Sequence, residues 1–256
     1  MLSLEIDLLE GKKLYFASDF HLGTPSKEAS FEREKKIVKW LGDIEKDAQA
    51  IFFLGDQFDF WFEYRHVIPK GFSLFISKLV ELRQLQIPLY FFTGNHDMWM
   101  FDYFPDELGI PIFRNNMVLK VGGKKILLGH GDGLGPGDLK YKFLKLLFNS
   151  PVCQKLFAFL HPWIGFSIAT RWSTSSRIAN TALDEVFMGE KERIWIYCKQ
   201  MEQKQHHDYY LFGHRHLVLD LEVGENSRYL NLGEWVTGTT YAMFDGQVLT
   251  LQKAEE

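Results

Sequence analysis

The chain has 256 residues, and its 46% hydrophobic and 24% charged composition is that of a globular protein, which excludes collagen-like, low-complexity and disordered classes. A balance of 29 Lys+Arg against 33 Asp+Glu leaves a net charge of −4, which excludes a general nucleic-acid coat, so affinity for phosphates or membranes has to come from a local basic patch. Two cysteines, Cys153 and Cys198, are too few for a disulfide framework or a thiolate zinc cluster and suit a reducing, cytosolic compartment.

The opening residues, Met1 to Glu10, carry Glu5, Asp7 and Glu10 without a basic cluster and are expected not to act as a secretory signal. Apolar runs rich in β-formers at Lys13–Ala17, Ala50–Leu54, Pro88–Phe92, Lys125–Leu128 and Asp208–Phe212 predict five buried strands. Helical periodicity at Glu28–Lys46 and Phe72–Gln86 lies between the early ones, which gives the alternation of a layered α/β fold. Residues 134–205 break that alternation and read as several helices inserted in the single domain as a cap. Within them the most apolar stretch, Leu156–Ala169, is interrupted by His161, Pro162 and Gly165 and falls short of the ~20 residues of a membrane span. The tail, Ser227–Leu232, Thr239–Phe244 and Gln247–Leu251, predicts three consecutive strands with an Asp245-Gly246 turn.

Each of the five predicted strands runs into a metal-ligand type: Asp19 and His21, Asp56, Asn95 with His96 and Asp97, His130, and His214 with His216. In open α/β sheets such loops converge beyond the strand ends, and five of the nine histidines lie in them. Seven donors, Asp19, His21, Asp56, Asn95, His130, His214 and His216, exceed what one catalytic metal takes from a protein. Two divalent cations sharing one carboxylate, with Asp56 as the bridge, would use them all. Oxygen and imidazole donors without thiolate suit Mn(II), the favoured choice, as well as Fe or Zn.

The ordered motifs from Asp19 to His216 resemble the calcineurin-like metallophosphoesterases, with their DxH, GDxxD, GNHD, GH and GHxH signature. That resemblance implies a four-layer αββα sandwich. It implies one metal on Asp19, His21, Asp56 and His216, and a second on Asp56, Asn95, His130 and His214. It further implies that His96 assists the transition state or leaving group and that Asp59 pairs with it, with Asp97 as a local competitor.

Substrate class has to be read from the insertion. Between Leu139 and Leu183 stand Lys140, Lys142, Lys145, Lys155, Arg171 and Arg177 and no acidic residue, interleaved with Phe143, Phe148, Phe157, Phe159, Trp163, Phe166 and Trp172. Such a pattern points to anionic lipid, as an interfacial helix or an acyl-chain groove, and the tract Phe58–Arg65 offers a second aromatic wall. The run His130–Asp138, with Tyr141, Pro151, Leu156-Phe157 and Arg171–Asn180, is similar to the UDP-2,3-diacylglucosamine hydrolase branch of the family. This implies cleavage of a lipid-linked nucleotide sugar to UMP and 2,3-diacylglucosamine 1-phosphate in lipid A synthesis, with manganese, by a peripheral protein on the cytoplasmic face of the inner membrane. It implies substrate contacts from Asn95, His96, Asp138, Ser176, Asn180 and His214. Two positions depart from that branch: His96 stands where arginine is common, and a lysine expected near Leu183 is missing. A soluble phosphomonoesterase or phosphodiesterase, and a non-catalytic scaffold of the same fold, are the competing expectations.

Overall fold

The computed structural model describes residues 1–171, 173 and 186–255. In chain order its elements are β1 (Leu2–Ile6), β2 (Lys13–Ala17), α1 (Lys27–Ile44), β3 (Ala48–Leu54), α2 (Ser73–Gln84), β4 (Leu89–Phe92), β5 (Ile112–Phe113), β6 (Met117–Val121) and β7 (Lys124–Leu128). There follow α3 (Leu139–Phe148), α4 (Pro151–Ala158), α5 (residues 162–171), α6 (Arg193–Glu202), β8 (Tyr209–Phe212), β9 (Val218–Gly224), β10 (Ser227–Leu232), β11 (Thr240–Phe244) and β12 (Leu249–Lys253).

The layering follows from strands that are apolar on both faces. In β2, Leu14 and Phe16 join Phe52 and Leu54 of β3 in a core between two sheets, while Tyr15 and Ala17 join Ile51 and Phe53 against α1 and α2. Period-two alternation with both faces buried requires a layer on each side. In the other sheet Leu211 of β8 faces the inter-sheet core, and Tyr210 and Phe212 pack on Ile194 and Cys198 of α6. Helix, sheet, sheet and helix therefore stack as the expected αββα sandwich. The sheet orders are β12-β11-β2-β3-β4-β5 and β1-β6-β7-β8-β10-β9. Helix α1 starts on Ser26, whose hydroxyl accepts from Ala29 N, and buries Ile37, Trp40, Leu41 and Ile44 on the sheet.

All five predicted strands form, and β1, β5, β6 and β9 add to them. β1 and β9 are sheet edges whose apolar residues alternate with Ser3 and Glu5 in the first and with Asp220 and Glu222 in the second, and β6 pairs antiparallel with β7 across Gly122-Gly123. The tail strands divide: β10 lies beside β8 in one sheet and the β11–β12 hairpin belongs to the other. The chain crosses at Trp235, whose backbone N donates to Asp19 O at 3.0 Å and whose ring N donates to Thr240 O at 3.0 Å. Helix α6 falls in the interval expected to be cap, yet it forms the outer layer over β8, so α3 to α5 are what stands outside the sandwich.

One buried titratable group away from the strand ends sets an acid limit. His207 is fully buried beside Tyr210, 3.2 Å from its hydroxyl, and burial pushes its imidazole below the ordinary value. An unfolded chain takes up that proton near pH ~6.5 and the folded one only below it, so stability falls as pH drops through that value. Urea midpoints are expected to fall between about pH 7.5 and 5.5, and to fall less in His207→Gln.

Candidate dinuclear metal centre

Loops following β2, β3 and β4 of one sheet and β7 and β8 of the other bring the donors to one edge of the sandwich. Asp19, His21 and His216 form one group, with ligand atoms within 4.8 Å of one another, and Asp19, Asp56 and His130 form a second. Asp56 faces both: its Oδ2 lies 3.2 Å from His130 Nε2 and 3.8 Å from His21 Nε2. His130 Nε2 is 3.1 Å from Asn95 Oδ1, and the His130 and His214 rings are 5.2 Å apart. All seven predicted donors are thus neighbours.

The loops are held in costly backbone. Asp19, His21, Asp56, His214 and His216 all have positive φ, between 45° and 70°, a region worth about 1–3 kcal/mol of strain for each non-glycine residue. Hydrogen bonds keep them there. Asp19 Oδ2 accepts from Ser18 Oγ at 2.5 Å and from His214 N at 3.0 Å, and Asp56 Oδ1 accepts from His96 N at 2.8 Å. Asp97 is fully buried and accepts from Gly94 N at 2.7 Å and Gln57 N at 2.8 Å, which ties the β3 and β4 loops together. Arg33 of α1 donates to His21 O at 2.7 Å, and Asn231 of β10 donates to Gly213 O at 2.9 Å. Gly94 is required by close approach, because a Cβ there would lie 2.1 Å from Asp56 Oδ1.

The two central carboxylates are held ionised. Burial pushes Asp19 up, but the imidazoles of His21 and His216 beside it hold it well below the carboxylate range. Asp56 is also pushed up by burial, and the His130 and His96 charges outweigh that and lower it. Burial lowers His130, yet the Asp56 carboxylate beside it raises the imidazole to about 10, whereas burial and the His130 charge press His214 down to about 4. Asp19 Oδ1 is buried with no hydrogen-bond donor, 3.4 Å from His216 Nε2 and 3.6 Å from His21 Nε2. An orphaned carboxylate oxygen among imidazole nitrogens is an acceptor set for a divalent cation, and its oxygen and nitrogen donors fit that class.

His96 sits at the rim of this cluster, with its ring 4.9 Å from that of His21. Its Nδ1 lies 3.0 Å from Asp59 O and 3.7 Å from Asp59 Oδ1, so Asp59 rather than Asp97 is its neighbour, through the peptide carbonyl first. Ser173 Oγ donates to Asp59 Oδ2 at 2.9 Å and stands 3.3 Å from His96 Nδ1, a contact that no sequence motif signals. Asp138 caps α3, accepting from Tyr141 N at 3.4 Å, and pairs with Arg193 at 2.8 Å. Ser176, Asn180 and Leu183 lie outside the described residues, as do Trp172 and Arg177. Asp132 lies within the His130–Asp138 run but was assigned no role from the sequence. It is buried, accepts from the Tyr141 hydroxyl and pairs with Lys145 at 2.6 Å, which latches α3 to the loop of His130.

The tract after Asp56 divides. Phe58, Trp61 and Phe62 are fully buried, whereas Phe60 packs against Phe157 and Phe166 where cap meets body. Outside that seam α3 and α4 bury no residue, and Phe143, Leu146, Leu156, Phe159 and Trp163 are 63% to 87% exposed. Single exposed apolar residues are ordinary, but a set this large on adjacent helices marks a contact surface. Among the described residues no helix is long and apolar enough to cross a membrane.

Known proteins are similar to this chain. A UDP-2,3-diacylglucosamine hydrolase of Porphyromonas gingivalis is 36% identical over 259 residues, covering 95% of this chain and 98% of that protein. Another of that name from Photorhabdus laumondii is 28% identical, covering 86% and 90%. Among solved structures, the Escherichia coli phosphoesterase Yfce aligns over 95% of this chain and 100% of its own, with 16% identity and a TM-score of 0.45. The calcineurin-like phosphoesterase family matches residues 12–218, an interval that runs from β2 past the last of the seven donors, and the chain belongs to that family of metal-dependent hydrolases.

Proposed function

We propose that this protein hydrolyses the pyrophosphate of UDP-2,3-diacylglucosamine to UMP and 2,3-diacylglucosamine 1-phosphate, working as a peripheral protein on the cytoplasmic face of the inner membrane. The observation that carries this reading is the 36% identity to a hydrolase of that name over nearly the whole of both chains. The apolar outer face of α3 and α4 supports it, since a diacylated substrate needs a surface or groove for its chains. Lys140 on the same helix would meet anionic headgroups.

Asp19, His21, Asp56 and His216 would hold one cation, and Asp56, Asn95, His130 and His214 the other, with manganese the proposed ion and iron or zinc equally suited to these donors. When bound, the pair supplies charge neutralisation at the phosphoryl oxygens and an acidified water. His96 has the position to bind the phosphoryl group and give a proton to the departing oxygen, its ring fixed by Asp59 O and by Ser173. Asp138 would contact the sugar lipid at the α3 N-terminus, and Ser176 and Asn180 belong to the same proposal.

Manganese-loaded protein is expected to release UMP from the lipid nucleotide far faster than it turns over an aryl phosphate. The reverse preference would assign it to soluble phosphoesters, as His96 in place of arginine would suit, and absence of bound metal with no turnover would leave a scaffold. His96→Ala is expected to lower kcat roughly 10²–10⁴-fold while metal stoichiometry stays at two, as measured by elemental analysis beside steady-state rates.

A further inference from the structure

A cavity of about 630 Å³ opens beside the second group of donors, with His130 and Asp132 in its lining together with Phe113, Arg114, Asn115 and Asn116. We infer that this cavity is the nucleoside subsite, taking the uridine half of the substrate. The inference rests on the reading of the preceding section and adds where that half of the substrate sits. Its volume is in the range of small-ligand pockets.

Three observations carry the assignment. First, the cavity reaches a metal-ligand type directly at His130, so a group held in it can remain joined to a phosphorus at the centre. Second, its walls suit a pyrimidine nucleoside. The exposed carboxamide of Asn115 offers both a donor and an acceptor, as an imide edge of alternating acceptor and donor requires, while that of Asn116 beside it is held by a bond to the Tyr197 hydroxyl at 3.3 Å. Phe113 is partly exposed at the end of a ring ladder, 5.2 Å from Phe92 and 6.2 Å from Tyr90, and gives a base a face to stack on. Third, the charge is compatible. Lys145 pairs with Asp132 and the Tyr141 hydroxyl donates to it, so the one carboxylate in the lining is neutralised, and Arg114, braced on Met98 O at 2.7 Å and on Met100 O, places a cation at the wall. The exposed apolar face of α3 and α4 offers nothing of this kind, and it suits the acyl chains instead.

Asn115 is exposed and outside the metal cluster, which makes it the residue to vary. With manganese-loaded protein, Asn115→Ala and Asn115→Asp are expected to raise KM for UDP-2,3-diacylglucosamine, and Ki for UMP as product inhibitor, about five- to tenfold. Turnover of bis(p-nitrophenyl) phosphate, which has no nucleoside, should stay within about twofold of wild type. A wild-type protein that releases UMP, with both variants matching it in KM and Ki, overturns the subsite alone. A parallel loss on bis(p-nitrophenyl) phosphate assigns Asn115 a structural role and overturns it too. A wild type that releases no UMP overturns the functional reading, and this inference with it.

Discussion

Asp56→Ala is expected to abolish turnover, by about 10³-fold or more, in a protein that remains folded. The side chain faces His130 at 3.2 Å and His21 at 3.8 Å, the two sides of the donor cluster. Charge stabilisation by a metal pair amounts to several kcal/mol, and each 1.36 kcal/mol lost is about tenfold in rate. Metal stoichiometry should fall below two while circular dichroism is unchanged, because the inter-sheet core of Leu14, Phe16, Phe52 and Leu54 does not use Asp56. Wild-type rates with two bound metals in this variant would remove the bridging role.

Gly94→Ala is the second large effect, and it arises without touching a donor. The new methyl would lie 2.1 Å from Asp56 Oδ1 and 2.6 Å from Asp56 N, so either the carboxylate or the β4 loop has to move. A displacement of about 1 Å costs on the order of 10²-fold in rate, and overpacking of this kind about 1–3 kcal/mol of stability. Gly42→Ala in α1 is the matched control: its nearest neighbour is Lys78 Nζ at 3.8 Å, so neither activity nor stability should fall. Steady-state rates and urea midpoints on the three proteins test the pair, and equal behaviour of Gly94→Ala and Gly42→Ala would refute the close-approach argument.

The sandwich and its donors were legible because one regularity writes both. A strand buried on two faces reads as an unbroken apolar run, as at Ala50–Leu54, and the polar residue that ends the run is the one placed at the sheet edge. Edge strands break that regularity: β9 is exposed at alternate positions, so Asp220 and Glu222 dilute its pattern. Asp132 and Ser173 were hidden for another reason. Ser173 acts through Asp59, 114 residues away, Asp132 through Tyr141 and Lys145 of the following helix, and a lone Asp or Ser carries no periodic signal. The divided fate of Phe58–Tyr64 is likewise a matter of packing, since Phe58 turns to Trp61 in the core and Phe60 to the cap.

Five of the donor residues hold left-handed backbone that a glycine would adopt without penalty. Evolution towards heat resistance alone would therefore be drawn to these loops, because Asp19→Gly or His216→Gly relieves local torsional stress while deleting a donor. Populations selected without a demand for hydrolysis should drift into hardier proteins that no longer turn over phosphate esters, and the loops that lose their aspartates and histidines first would be those with the steepest dihedral penalty.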